Sequence, residues 1–359
     1  MNCPQDWPEP IVRVQSLSEN GVIPDRYIKP MAERPSSDHP THANIPIIDF
    51  QPLLSSSSDD SDVALRAATL AKISEACREW GFFQIVNHGL SPELMDRSQK
   101  IWRDFFHLPM EMKQAYANSP KTYEGYGSRL GIEKGAILDW SDYYFLHFLP
   151  FCLKDYNKWP SIPDGREVID EYGREVVKLC GTLLKALSLN LGLKEDFLQN
   201  KFGGQDIGAC LRVNFYPKCP QPDLTLGLSS HSDPGGMTLL LCDEHVAGLQ
   251  VRKDNSWITV KPAPHAFIVN IGDQIQVLSN AMYKSVEHRV IVNPAKERLS
   301  LAFFYNPKSD IPIEPAKELV TADRPALYPP KTFDEYRLYI RLRGPKGKSQ
   351  VDSLKCLRG

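Results

Sequence analysis

Apolar positions along the 359-residue chain change their spacing part-way through. In the first half they recur at helical intervals. Leu65, Leu70, Ile73 and Cys77 form one stripe, with Asp62 available as an N-cap and Gly81 as a stop. Two further amphipathic stretches follow at 91–117, broken near Pro109, and at 165–190. IPIIDF and GFFQIVNHG read as short strands, the second closed by Asn87 and Gly89. Residues 31–44 and 55–62 are polar loops rich in Pro or Ser.

The second half reads differently. CLRVNFY, MTLLL, LQVR, WITV, AFIVNIG, EHRVIV and RLSLAFFYNP are short runs rich in Val, Ile, Leu and Phe, separated by regular turn signals, the pattern of a double-sheet barrel. FDEYRLYIRLRG then returns to helical period. The pattern predicts an α+β protein: a double-stranded β-helix (jelly-roll) barrel core flanked by N-terminal helices and a C-terminal helix. It suggests an N-terminal extension over 1–44, a helix-rich region over 45–200, the barrel over 201–320, and a C-terminal helix and tail over 321–359.

Composition narrows the function classes. Hydrophobic residues make up 42%, charged residues 24%, and the net charge is −2. No basic field points to nucleic acid or a membrane surface. MNCPQDWPEP lacks the apolar core of a signal peptide, and no later stretch is apolar enough to span a membrane. The eight cysteines are scattered without CxxC spacing, which suits reduced thiols. The expectation is a cytoplasmic monomer, with nuclear entry open to it.

Candidate chemistry starts at HSDPGGMTLLL, residues 231–241. With 9 His and 44 acidic residues in the chain, one His-x-acid pair is expected by chance, and His231/Asp233 is the only one. Taken alone it carries no information. The barrel region adds His288 in VEHRVIV, and two histidines with one carboxylate can cap three sites of an octahedron. That donor set suits non-haem Fe(II), which needs open positions, whereas a structural zinc site more often closes with four ligands. Arg298 and Ser300 share the inward face of another strand, where a buried guanidinium needs a carboxylate partner. Arg212, Asn214 and Tyr216 alternate with Leu211, Val213 and Phe215 on a third. Three strands thus aim polar groups at one interior.

HSD at 231–233, EHRV at 287–290, RLS at 298–300 and NFYPKCPQP at 214–222 resemble the plant 2-oxoglutarate- and Fe(II)-dependent dioxygenases. IPIIDF and WGFFQIVNHG resemble that family's N-terminal segment. The resemblance covers roughly residues 45–340. Within the family, KTYEGYGSRLGIEKGAILDWSDYY, CLRVNFYPKCPQP and ERLSLAFFYNP look most like jasmonate-induced oxygenases, which hydroxylate jasmonic acid. The resemblance implies His231, Asp233 and His288 as iron ligands. It implies Arg298 and Ser300, with Tyr216 and Asn214, as the 2-oxoglutarate site. It also implies dioxygen as co-substrate, ascorbate as reductant, and a reaction that yields succinate, carbon dioxide and a hydroxylated product. For jasmonic acid that product is 12-hydroxyjasmonate, and the consequence is lower jasmonate signalling and defence.

Residue types also speak to the substrate. Arg212 faces the same interior as Asn214, while Arg337 and Arg341 are spaced i, i+4 on the C-terminal helix, with Asp334 and Glu335 expected on other faces. The three arginines are candidates to converge on a substrate carboxylate. Phe304 shares parity with Arg298 and Ser300, and Tyr143 and Phe145 alternate to one face of DWSDYYFLHF, giving an apolar wall. Physical reasoning alone equally admits a gibberellin-like acid, and a flavonoid acceptor or a non-catalytic hormone-binding protein are the competing readings. A zinc hydrolase lacks a general base beside the ligands. His88, at a strand end and followed by Gly, is read as a turn residue, and His147 and His265, which have no spaced partner, as structural.

Overall fold

The computed structural model describes residues 6–35, 45–55, 59–344 and 347–354, without the side chains of 339–341, 343, 349 and 350. The strands of its two main sheets are β1 (Ile47–Asp49), β2 (Phe82–Val86), β3 (Gly125–Gly127), β4 (Asp142–Leu149), β5 (Gly208–Tyr216), β6 (Leu228–His231), β7 (Met237–Cys242), β8 (Leu249–Lys253), β9 (Ser256–Thr259), β10 (Phe267–Ile271), β11 (His288–Val290) and β12 (Arg298–Asn306). A larger sheet runs in the order β1-β2-β10-β7-β12-β5-β4-β3 and a smaller one in the order β6-β11-β8-β9. Strands from the helix-rich N-terminal half therefore extend both edges of the larger sheet.

Period-two alternation decides what each face of the larger sheet does. Leu211, Val213 and Phe215 on β5, Leu239 and Leu241 on β7, and Leu299, Leu301 and Phe303 on β12 pack outward into the main apolar core. Helices Asp60–Glu79, Pro92–Phe106 and Gly165–Asn190 cover that face through residues such as Ile73, Trp102 and Leu183. The intervening residues face the other way and line a cavity of about 280 Å³. Register aligns them in rows. Tyr216 lies opposite Arg298, Asn214 opposite Ser300 and Arg212 opposite Ala302, with Tyr143 and Phe145 beside Asn214 and Arg212 on β4.

Helix limits follow local chemistry. The stripe through Ile73 and Cys77 forms Asp60–Glu79 with Asp59, not Asp62, at the N-cap. The longer helix keeps Asp60 and Asp62 in the first turn, where they face the positive end of the dipole. Gly81 ends the segment at φ +60, and a Cβ there would lie 2.2 Å from the Lys284 carbonyl oxygen. Pro109 separates Pro92–Phe106 from Met110–Gln114.

A second close approach explains the glycine that follows β10. A Cβ on Gly272 would stand 2.3 Å from the Gly235 carbonyl oxygen, so the loop after Asp233 and the end of β10 can touch only as bare backbone. The C-terminal helix, Phe333–Arg343, brings Phe333 and Arg337 to the cavity. The chain then returns so that Gly347 bridges to His231. Among the described residues no helix is long and apolar enough to cross a membrane.

Candidate active site

His231 ends β6 and His288 begins β11, and the two are antiparallel partners, so pairing sets their rings side by side with centroids 4.2 Å apart. Asp233 follows two residues after His231. Its Oδ1 stands 3.6 Å from His231 Nε2 and 3.8 Å from His288 Nε2, and one donor atom from each of the three residues falls within 4.8 Å of the others.

Backbone carbonyls choose the tautomers. His231 Nδ1 lies 2.8 Å from Ser229 O and His288 Nδ1 lies 3.2 Å from Val286 O. A carbonyl only accepts, so Nδ1 carries the proton and Nε2 keeps its lone pair for a metal. Burial, reinforced by His288, pushes the His231 ring down to about 4, and it stays neutral at neutral pH. Burial would raise the Asp233 carboxyl, but the facing His288 and His231 rings and the bonds from Asn270 and Thr238 outweigh it and hold it below the usual carboxylate range. Two imidazoles that turn Nε2 inward and an ionised carboxylate fit a divalent iron.

Arg298 is the other marked feature. Its guanidinium is buried, with Nη2 donating to Cys242 Sγ at 3.2 Å and the carbon 5.2 Å from the Tyr216 ring centre. Nε and Nη1 have no partner among the described residues. A planar fork with unsatisfied donors, lining the cavity beside the hydrogen-bonded Ser300 and Tyr216 hydroxyls, fits an incoming carboxylate. Burial keeps the Cys242 thiol protonated against the pull of Arg298.

Arg212 lines the same cavity. Its Nε donates to Asn214 Oδ1 at 2.7 Å and its guanidinium carbon lies 4.2 Å from the Tyr143 ring centre. Phe145 and Phe304 also line the cavity. Arg337 reaches it too, but its Nη2 donates to Asp334 Oδ1 at 2.7 Å. Asp334 is therefore on the arginine's own face, as an i, i+3 helix neighbour is. The Arg341 side chain lies outside the described ones. His147, read from sequence as structural, lines the cavity from β4, on the parity of Tyr143 and Phe145. His88 is structural, with Nε2 2.9 Å from the His265 carbonyl.

Residues missed by the sequence reading include Thr238 and Asn270, both bonded to Asp233, and Cys242. The signal for the first two was available. Each is a lone polar residue at an inward position of an apolar strand.

A jelly roll that presents two histidines and a carboxylate to one cavity, with an unsatisfied buried arginine nearby, defines a non-haem iron oxygenase that takes an oxo-acid co-substrate. Comparison agrees: residues 207–307 match the 2OG-Fe(II) oxygenase superfamily and residues 45–162 match the N-terminal region of non-haem dioxygenase in morphine synthesis. The chain belongs to the 2OG-Fe(II) oxygenase superfamily. It is 68% identical to Jasmonate-induced oxygenase 2 of Arabidopsis thaliana over 353 residues, covering 97% of this chain and 94% of that protein. It is 64% identical to Jasmonate-induced oxygenase 3 of the same plant over 368 residues, covering 100% of both. The crystal structure of JOX2 in complex with 2OG, Fe, and JA matches with a TM-score of 0.91 at 66% identity, covering 98% of this chain and 99% of that one.

Proposed function

We propose that this protein is a jasmonic acid hydroxylase that converts jasmonic acid to 12-hydroxyjasmonate and so lowers the pool of hormone precursor. The observation that carries the substrate reading is Arg212. A half-buried guanidinium faces an apolar-walled cavity, and among the described residues no carboxylate lies within ion-pair distance of it. An acid with a small apolar ring and chain supplies both the anion and the apolar body. The solved relative in complex with JA supports the same reading.

His231, Asp233 and His288 would hold Fe(II), and Arg298, Ser300 and Tyr216 would receive the distal carboxylate of 2-oxoglutarate. Together these two groups supply the oxidising chemistry: one atom of dioxygen enters succinate as carbon dioxide is lost, and the other becomes the product hydroxyl. The protein's own contribution is placement. Arg212, with Arg337 on the C-terminal helix, anchors one end of the substrate. Phe145, Phe304 and Tyr143 enclose its body and exclude water, so one C–H bond faces the metal side of the cavity. We place the activity in the cytoplasm, supported by the free thiols of Cys77, Cys152, Cys180, Cys219 and Cys242.

Purified protein is loaded anaerobically with Fe(II) and 2-oxoglutarate, then opened to air with jasmonic acid or a gibberellin. The expected result is succinate matched one-to-one by a jasmonate product heavier by one oxygen atom. Succinate formation with no acid consumed would overturn the substrate assignment, and no succinate with either acid would overturn the reaction class.

A further inference from the structure

Asp233 gives its two carboxylate oxygens to different partners. Oδ1 faces the two histidines. Oδ2 accepts from Thr238 Oγ1 at 2.5 Å and from Asn270 Nδ2 at 2.7 Å. Both donors are buried, and they are not independent. Asn270 on β10 is the cross-strand partner of Thr238 on β7, so the two side chains leave the sheet on one face, next to each other. An ionised carboxylate only accepts, which fixes the Asn270 amide with its nitrogen toward Oδ2.

We infer that Thr238 and Asn270 are positioning residues that hold Asp233 to coordination through Oδ1 alone and thereby keep one iron position free. The inference rests on the iron-binding reading above. A carboxylate can offer a metal one oxygen or both. Two histidines and one carboxylate oxygen fill three octahedral positions, and a chelating oxo-acid fills two more, leaving one for dioxygen. A second oxygen from Asp233 would fill that last position. Turning Oδ2 toward the metal would break two charge-assisted hydrogen bonds inside a buried site and leave both donors without an acceptor, so the paired strands bar that rotation.

Thr238→Val and Asn270→Leu keep the side-chain shapes and remove the donors, while Thr238→Ser keeps a hydroxyl. Each protein is loaded with Co(II), 2-oxoglutarate and jasmonic acid under nitrogen, and its visible absorption, stronger for five ligands than for six, is recorded. In parallel, the Fe(II) complex is mixed with oxygenated buffer and its oxygen consumption is timed. The expected result is weaker Co(II) absorption and oxygen consumption slowed roughly tenfold or more in Thr238→Val and Asn270→Leu. Metal affinity should stay within a few-fold of wild type, and Thr238→Ser should behave as wild type. Unchanged absorption and oxygen rates in both donor-free variants would overturn the inference. So would a Thr238→Ser variant as impaired as Thr238→Val, or a loss of metal binding that accounts for the slowing, since either would make the pair a packing element. A wild-type protein that fails to bind either metal overturns the iron reading itself, a distinct result.

Discussion

The Arg212 guanidinium sits over the Tyr143 ring, its carbon 4.2 Å from the ring centre. Tyr143 is itself pinned, donating from its hydroxyl to Arg129 O and accepting from Asn118 Nδ2, both at 2.9 Å. A ring expected from sequence to be plain apolar lining is thus also the platform that orients a cation. Asn214, expected beside 2-oxoglutarate, turns its Oδ1 to Arg212. The arginine is held from two sides before substrate arrives, which lowers the ordering cost of binding an anion.

Replacing the platform should therefore weaken substrate binding more than turnover. A cation resting on an aromatic face contributes about 1 kcal/mol, so Tyr143→Leu should raise KM for jasmonic acid roughly fivefold with kcat nearly unchanged. Tyr143→Phe, which keeps the ring, should sit closer to wild type. Arg212→Gln should show the largest KM increase. Steady-state kinetics over a range of jasmonic acid decide the matter, and a wild-type KM in Tyr143→Leu would remove the platform from the account.

Arg298 leads to a prediction about the co-substrate. Its Nε and Nη1 have no acceptor among the described residues, and a lysine could offer a charge there but not a planar fork of donors. Arg298→Lys should cost about 2 kcal/mol of 2-oxoglutarate binding, close to thirtyfold in its KM, while KM for jasmonic acid changes little. Titrating 2-oxoglutarate at saturating jasmonic acid tests this. Equal rises in both KM values would mean that the substitution disturbs the whole barrel.

Much of this site is legible in the sequence because barrel strands obey a strict period of two. Parity alone places Arg212, Asn214 and Tyr216 on one face of β5, and Arg298, Ser300 and Phe304 on one face of β12. Spacing cannot show which residues meet across strands. The Arg298 contact with Cys242 depends on the register that sets Ser300 opposite Cys242, and the Thr238–Asn270 pair on the register between β7 and β10. Charge pairing on the C-terminal helix was misjudged for a different reason. Asp334 is expected on another face, yet an i, i+3 neighbour on a helix lies close enough to pair, and it meets Arg337.

His88 makes stability depend on pH. Burial holds its ring below the ordinary histidine value, although the His265 carbonyl opposes this. Nδ1 accepts from the Leu90 N–H, a bond that only the neutral ring can make. Because the folded value is depressed, this contribution is fully present above the unfolded value of about 6.5 and is lost as pH falls through the folded one. The melting temperature of the wild type should drop more between about pH 7 and pH 5 than that of His88→Gln, whose amide can make similar bonds without titrating. Parallel melting curves would assign the acid sensitivity to other groups.

The C-terminal helix provides the last prediction, since it carries Arg337 to the cavity and is fastened by Tyr336. The buried Tyr336 hydroxyl donates to Asp273 Oδ2 at 2.5 Å, and the same carboxyl oxygen accepts from Ser232 beside the metal ligands. Tyr336→Phe removes one donor from a buried acid, a change worth about 1–3 kcal/mol, without altering any group that faces the cavity. If that bond fastens the helix beside the cavity, the loss should appear as a several-fold higher KM for jasmonic acid and faster amide hydrogen exchange across Phe333–Arg343. The KM for 2-oxoglutarate should stay near wild type, because Arg298, Ser300 and Tyr216 lie on β12 and β5. Exchange that is unchanged across the helix, with KM also unchanged, would show that the remaining contacts fasten it without Tyr336.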